Sequence, residues 1–456
     1  MQVTTPKTTR NPARSSAGRV AFASLLLLGL DTATKAVESA NLGVSVGVGA
    51  SDNIGLVSTD PRSEVIALTG LDFTLLRTNT RLDADVVGDF TYLDYLRHTY
   101  GSQLLGRFDG TGVFAIVPET LTWTLQDDYG QAQLDAFSPV TPANLQNVNY
   151  LSTGPDLVLH MDPVDFVALS ARYERATYSV SPFNNNGLVG AMGLGRQLAA
   201  HVKASLNVRY EKLKFEDNGV GSGINLASVY GLYEAQLQRT NLTAQLGATR
   251  VTGQAGLSTG ALAHLDASRK ISPHMNLTLS LAHQLTDAAD AFSGFRAGAV
   301  GTIGTAISPQ VTGGTAAPTA QTAGAYTTNS AGVGWSLEYH RTTLSVTGRY
   351  QRDSYDLQSL DDTRAGAELN LQRQFTRHLM GTLHGSYYRT RYLYTDFLSN
   401  DRLVGGLLQW RVGRDFTLVA RYDHTQRSAA GIGTGGFHEN RVFLTVGYHP
   451  PAWQKK

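Results

Sequence analysis

The segment Thr80-Arg-Leu-Asp-Ala-Asp-Val-Val-Gly-Asp-Phe-Thr-Tyr92 decides the fold class. Leu82, Ala84, Val86, Gly88, Phe90 and Tyr92 fall on one side of an extended chain, and Arg81, Asp83, Asp85, Asp89 and Thr91 on the other. Successive side chains point to opposite faces in a strand, so this is strand periodicity with one apolar and one charged face. The alternation recurs in Val202, Ala204, Leu206, Val208 and Tyr210 against His201, Lys203, Ser205, Asn207, Arg209 and Glu211. It returns in Leu379, Gly381, Leu383, Gly385 and Tyr387 against Met380, Thr382, His384, Ser386 and Tyr388. These runs are longer than ordinary soluble strands and reach the roughly ten residues that a tilted strand needs to cross a bilayer.

Strands of this kind fit twenty times between residues 42 and 448, and their connections alternate in length. Arg77-Thr-Asn79, Val117-Pro-Glu119, Asp162-Pro-Val-Asp165, Arg239-Thr-Asn241, His340-Arg-Thr-Thr343 and Gly413-Arg-Asp415 are tight. Segments 131–152, 214–223, 287–329, 392–401 and 428–438 are long and polar. Short turns at one end and long loops at the other predict an all-β, closed antiparallel transmembrane β-barrel. The short link 97–101 breaks the rule and leaves the count at eighteen to twenty. Leu82, Phe90, Leu206 and Leu383 are expected to face lipid.

The remaining composition agrees. The chain has 456 residues, 16% of them charged, 47 Gly, 20 Tyr, no Cys and a net charge of +1. The lack of Cys excludes a disulfide scaffold, thiolate metal ligation and a Cys nucleophile. A balanced charge gives nucleic acid no electrostatic foothold. Arg10, Arg14 and Arg19 precede the apolar run Val20-Ala-Phe-Ala-Ser-Leu-Leu-Leu-Leu-Gly-Leu30, and small residues follow near Ala36 to Ala40. That is the order of an export signal, too short to span a bilayer as a helix. The domain reading is a leader over 1–40, a barrel over 41–450 and a tail over 451–456. Localisation in the outer membrane follows.

Functional residues are sought on the wet face, because unpaired charge in a dry interior costs several kcal/mol. Barrels of this size enclose an aqueous channel. Arg172-Tyr173-Glu174, Arg209-Tyr210-Glu211, Arg349-Tyr350-Gln351 and Arg421-Tyr422-Asp423 all lie on odd-numbered strands, which run the same way. The expectation is an aromatic girdle of Tyr173, Tyr210, Tyr350 and Tyr422 at the extracellular edge of the hydrocarbon. Arg172, Glu174, Arg209, Glu211, Arg349, Arg421 and Asp423 then line the lumen, as do Arg81, Asp83 and Asp85 near the other end. Against this stands general β-propensity, which favours Tyr in any strand.

Catalytic patterns are weak. Gly43-Val-Ser45-Val-Gly47 matches a nucleophile elbow but lies in an alternating strand with no helix after it. Gly187-Leu-Val-Gly-Ala-Met-Gly-Leu-Gly195 lacks the Lys-Ser/Thr of a phosphate loop. No His-Glu-x-x-His occurs. Asp127, Asp128 and His160 are the residues an outer-membrane hydrolase would gather at its rim. The reading is of a protein that is not an enzyme, without cofactor or metal.

Ser51-Asp52-Asn53-Ile54, Trp123-Thr-Leu-Gln-Asp-Asp-Tyr-Gly-Gln131, Asn149-Tyr-Leu-Ser-Thr-Gly-Pro-Asp156 and Ala171-Arg-Tyr-Glu174 together resemble the β-barrel porins encoded with exopolysaccharide-export and PEP-CTERM sorting systems of Gram-negative bacteria. The resemblance covers most of the chain after residue 40. It implies an outer-membrane channel for hydrophilic solutes that serves polysaccharide export, with outer-membrane lipid and periplasmic export components as partners. It brings no catalytic residues. One departure is that Tyr448 does not end the chain but is followed by His-Pro-Pro-Ala-Trp-Gln-Lys-Lys456. The competing reading is a structural or adhesive barrel with a blocked lumen. Segment 287–329, rich in Gly, Ala and Thr, is either a surface loop or a constriction folded into the lumen.

Overall fold

The computed structural model describes residues 37–217, 223–253, 256–286, 325–355, 360–431, 435–450 and 453–455. Its strands are β1 (Val37–Ser51), β2 (Glu64–Thr78), β3 (Leu82–Tyr95), β4 (Gln103–Val117), β5 (Leu121–Gln133), β6 (Leu145–His160), β7 (Asp165–Tyr178), β8 (Asn185–Ala199), β9 (Val202–Phe215), β10 (Ile224–Gln236), β11 (Thr240–Gly253), β12 (Gly256–Ser272), β13 (Met275–Thr286), β14 (Tyr326–Tyr339), β15 (Thr342–Tyr355), β16 (Asp362–Gln374), β17 (Leu379–Tyr392), β18 (Leu398–Val412), β19 (Phe416–Ala430), β20 (Phe437–Tyr448) and the short β21 (Trp453–Lys455). From β1 to β20 each strand pairs antiparallel with the next, and β1 also pairs with β20. The sheet is therefore a closed barrel of twenty spanning strands.

Two registers run round this wall. One carries Val44, Val46 and Val48 of β1, Leu194 of β8, Leu206 and Val208 of β9, Leu246 of β11, Val404 and Leu408 of β18, and Val442, Leu444 and Val446 of β20, all exposed. The other carries Glu64, Glu174, Glu211, Asp423, Glu439 and Arg441, all buried. Ionised groups do not shelter in hydrocarbon, so the apolar register is the outer wall and the charged one the lumen. Leu82, Phe90, Leu206 and Leu383 belong to the outer register, opposite Phe114, Leu71, Gly231 and Gly406. At the short-turn end the outer face ends in exposed Phe114, Trp123, Tyr339, Trp410, Phe416 and Tyr448. At the long-loop end it ends in exposed Tyr92, Tyr173, Tyr210, Tyr350, Tyr387 and Tyr422. An apolar band between two aromatic belts is the form of a barrel in an outer membrane.

The tight turns close by local chemistry. Asn79 accepts from the backbone N–H of Arg81 and Leu82 at 2.8 and 2.7 Å, and Asp162 from those of Val164 and Asp165 at 2.8 and 2.7 Å. These bonds hold the Asp162 carboxyl below the usual carboxylate range. Side chains of Asn and Asp mimic a backbone turn in this way. Gly154 serves a different need: a Cβ there would meet the carbonyl of Ala171 on the neighbouring strand.

Several boundaries differ from the sequence reading. β6 begins at Leu145, inside the segment 131–152 taken as loop, because Gln146, Val148 and Tyr150 alternate inward although their neighbours are polar. Link 97–101 is a real loop, pinned where Glu64 accepts from the backbone N–H of Arg97 and Thr99. β1 starts at Val37, within the segment read as leader, and Val37 pairs with Thr78. β21 lies in the segment read as a free tail and pairs with Glu38, Ser39 and Ala40 of β1. Residues 1–36 and 287–324 lie outside the described residues.

Leu206→Arg should therefore destabilise the barrel by about 2–4 kcal/mol, the cost of a cation on the lipid face near the midplane. Asn207→Arg, one residue away on the inner face, should cost far less. Guanidinium unfolding in vesicles checks the contrast.

Candidate functional site

Inward charges are paired chiefly along or between adjacent strands. Arg172 donates to both oxygens of Asp156 on β6, at 2.7 and 2.6 Å, and to the carbonyl of Pro155. Arg209 pairs with Glu211 two residues on, at 2.9 Å. Arg421 donates to Asp423 at 2.6 Å, and His384 of β17 bonds the other oxygen of that carboxylate at 2.8 Å. Arg441 donates to Glu439 two residues before it on β20, and Ser51 of β1 donates to the same carboxylate across the closing seam. Alternate residues of a strand stand about 7 Å apart, within reach of these long side chains.

The grading along the barrel axis matters more than any one pair. Arg81, Asp83 and Asp85, near the short turns, are exposed, and so is Arg349 in β15. Toward the loops, Glu174, Glu211, Arg421 and Asp423 are buried. The inner wall is open to water at the short-turn end of β3 and at Arg349 in β15, and packed toward the loops of β7, β9 and β19. Arg172, Arg209, Arg349 and Arg421 all lie on the inner register, but β15 and β19 stand far from β7 and β9, so they form no single cluster.

The packing at the loop end has a specific source. Loop 134–144 leaves β5 and β6 and places Phe137 against Tyr392 of β17, with ring centroids 4.6 Å apart, and against Phe397 at 5.6 Å. Eight strands separate β6 from β17 one way round the ring and ten the other, so this contact is made through the lumen. The loop is rigidly tied. Asn144 donates to the carbonyls of Asp135 and Pro139 at 2.9 and 3.0 Å and accepts from the N–H of Asp135 at 2.7 Å. Asp135 in turn accepts from the N–H of Phe137 and the hydroxyl of Ser138. Gln103 of β4 donates to the carbonyl of Pro142. Beside it Ile54, from the loop after β1, packs inward on Leu68, Leu93, Tyr95 and Phe443. The sequence leaves segment 287–329 as a surface loop or a constriction. Of that segment 287–324 is not described and 326–329 is strand, whereas the segment that crosses the lumen is 134–144, whose only aromatic residue is Phe137.

Tyr173, Tyr210, Tyr350 and Tyr422 lie on the outer register, half-exposed. Closed barrels stagger, so a level ring drops along the strands as it passes from one to the next. Tyr173 pairs with Leu188 and Leu188 with Lys212, and Tyr210 is two residues below Lys212. Tyr350 pairs with Ala365 and Ala365 with Arg389, and Tyr387 is two residues below Arg389. The same step thus joins a tyrosine the Arg-Tyr repeat did not reveal. Four of the ring donate to an asparagine on the next strand: Tyr173 to Asn186, Tyr210 to Asn225, Tyr387 to Asn400 and Tyr422 to Asn440.

The hydrolase residues do not converge. Asp128 is buried on the inner wall, Asp127 on the adjacent register accepts from Asn149, and His160 is exposed at the far end of β6. Ser45 sits in mid-strand in β1, not on a turn into a helix. No group of three or more metal-ligating side chains occurs among the described residues.

Asp423→Ala takes from buried Arg421 and half-buried His384 the carboxylate they share. It should cost about 3–5 kcal/mol in unfolding free energy, as for other buried pairs broken on one side. Asp83→Ala, at the wet end, should cost less than about 1 kcal/mol. Denaturant unfolding in vesicles measures both.

No protein-family model matches the chain, and no curated protein matches it. Solved structures do. The siderophore receptor PirA from Pseudomonas aeruginosa aligns over 92% of this chain and 81% of its own, at 9% identity and a TM-score of 0.44. The FrpB iron transporter from Neisseria meningitidis aligns over 93% and 83%, at 11% identity and 0.42. The siderophore receptor PiuA from Acinetobacter baumannii aligns over 92% and 82%, at 10% identity and 0.44. The likeness to these receptors and transporters is one of barrel architecture.

Proposed function

We propose that this outer-membrane barrel is a channel for hydrophilic solutes, narrowed by loop 134–144, and that its solute is a glycan of an exopolysaccharide export route. The observation that carries the reading is the charged inner wall, open to water at Arg81, Asp83, Asp85 and Arg349 and ending beneath one tied loop. A lumen meant only to be filled needs no such wall, since apolar packing is as stable as buried ion pairs or more so. Inward rings gather near the mouth, with Tyr326 stacked on Tyr355 at 4.8 Å and Tyr392 beside Phe397, and those uncovered when loop 134–144 moves would give flat apolar faces to sugar rings. The ion pairs supply donors and acceptors for hydroxyls. The partners on this reading are outer-membrane lipid, the glycan and a periplasmic export component. The segment before β1 is then an export leader, removed at or before Val37, where pairing with β2 begins.

The second reading, a structural barrel with a blocked lumen, draws on the same crossing loop. Conductance in planar bilayers separates the two. The channel reading expects stepwise openings with weak ion selectivity, because inward charges nearly balance. Asn144→Ala, which unties the loop, and Phe137→Ala, which removes an aromatic contact of about 0.5–1.5 kcal/mol, should each raise conductance or opening frequency. Silence in the wild type and in both variants establishes the blocked barrel.

A further inference from the structure

The outer wall carries a second ordered pattern just beyond the tyrosine ring. Two residues past Tyr173, Tyr210, Tyr350 and Tyr387, on the same outer register, stand Arg175, Lys212, Arg352 and Arg389, and Arg250 takes the corresponding place on β11. All five are exposed. Each faces a small amide or hydroxyl across the ladder of its hairpin: Arg175 opposite Asn186, Lys212 opposite Asn225, Arg250 opposite Thr259, Arg352 opposite Thr363 and Arg389 opposite Asn400.

The tyrosines below orient this row. Because Tyr210 and Tyr387 donate to the Oδ1 atoms of Asn225 and Asn400, the Nδ2 groups of those asparagines are left as donors beside Lys212 and Arg389. The result is a strip of cations and N–H donors with few acceptors. Of the five cations, Arg175 pairs with Glu216 at 3.0 Å. Lys212, Arg250, Arg352 and Arg389 make no ion pair among the described residues. The strip is one-sided: on β3 the equivalent position beyond Tyr92 is Asp94, and on β5 beyond Tyr129 it is Gln131. A uniform need for solubility at the rim does not produce such asymmetry. Its level is that of lipid headgroups, directly above side chains in hydrocarbon.

We propose that this strip, over β7 to β17, docks the phosphate groups of glycolipid in the outer leaflet. Phosphate oxygens only accept, and fixed Arg, Lys and amide N–H groups are their complement. The site lies on the outside of the wall and does not depend on what passes through the lumen.

The test uses the full barrel, purified in a non-ionic detergent, with bisphosphorylated lipid A and enzymatically dephosphorylated lipid A as probes, read by native mass spectrometry. The wild type should bind the phosphorylated form on the order of 100-fold more tightly through Arg250, Arg352 and Arg389 alone, taking each as worth about a factor of five near a charged surface. The triple variant Arg250→Ser, Arg352→Ser, Arg389→Ser should lose that preference. The control Arg269→Ser, Arg373→Ser, two cations on the outer register at the short-turn end, should keep it. Heat-modifiable gel mobility verifies that each variant is a folded barrel. Equal binding of the two lipids by the wild type overturns the proposal, as does an equal loss in the control, which would reduce the effect to general charge.

Discussion

A peptide N–H or C=O in hydrocarbon has no water to bond, and each one left unpaired costs several kcal/mol. Every strand of a membrane-spanning sheet must therefore be flanked on both sides along its full depth, and only closure provides this. The continuous ladder from β1 round to β20 is that solution. With backbone satisfaction settled by closure, the side chains divide by register alone: Val44, Val46 and Val48 meet lipid while Ser45 and Gly47 between them face inward.

Closure also creates the interior that function requires. A lumen ringed by twenty strands is too wide for side chains to fill, so its character is set by charge pairing and by whatever loops enter it. Here the pairing is local, Arg209 with Glu211 and Arg421 with Asp423, which fixes each charge in position without drawing opposite walls together. Loop 134–144 is the element that does bridge the walls. Its internal ties through Asn144 and Asp135 hold its shape, and Gln103 of β4 anchors it to the wall beside it.

Period-two alternation made the wall legible, because Leu82 to Tyr92 and Val202 to Tyr210 can satisfy lipid on one side and water on the other in no other fold. Strand ends were less legible. Gln146 and Asn147 look like loop residues because a strand that reaches past the hydrocarbon is polar on both faces. The crossing loop was hidden for a different reason: its position depends on Tyr392 and Phe397, some 250 residues away, which no local pattern announces. The exposed tyrosines of the outer register were partly visible through the Arg-Tyr pairs. Tyr387 and Tyr92 belong to the same belt but lack the preceding arginine, and only the stagger of the closed barrel brings them in line.

The last strand is broken. β20 covers β1 from Val44 to Ser51, the chain passes Pro450, and β21 resumes on Glu38 to Ala40. These contacts join residues nearly the whole chain apart, which makes them the slowest in the fold to form by loop closure alone. Until they form, β1 presents an open edge of the kind that invites pairing with other chains. The growing sheet must accordingly be kept from its neighbours for as long as its first strand waits for its last, and a seam in two parts lets the portion within the hydrocarbon seal before the tail beneath it has found its place.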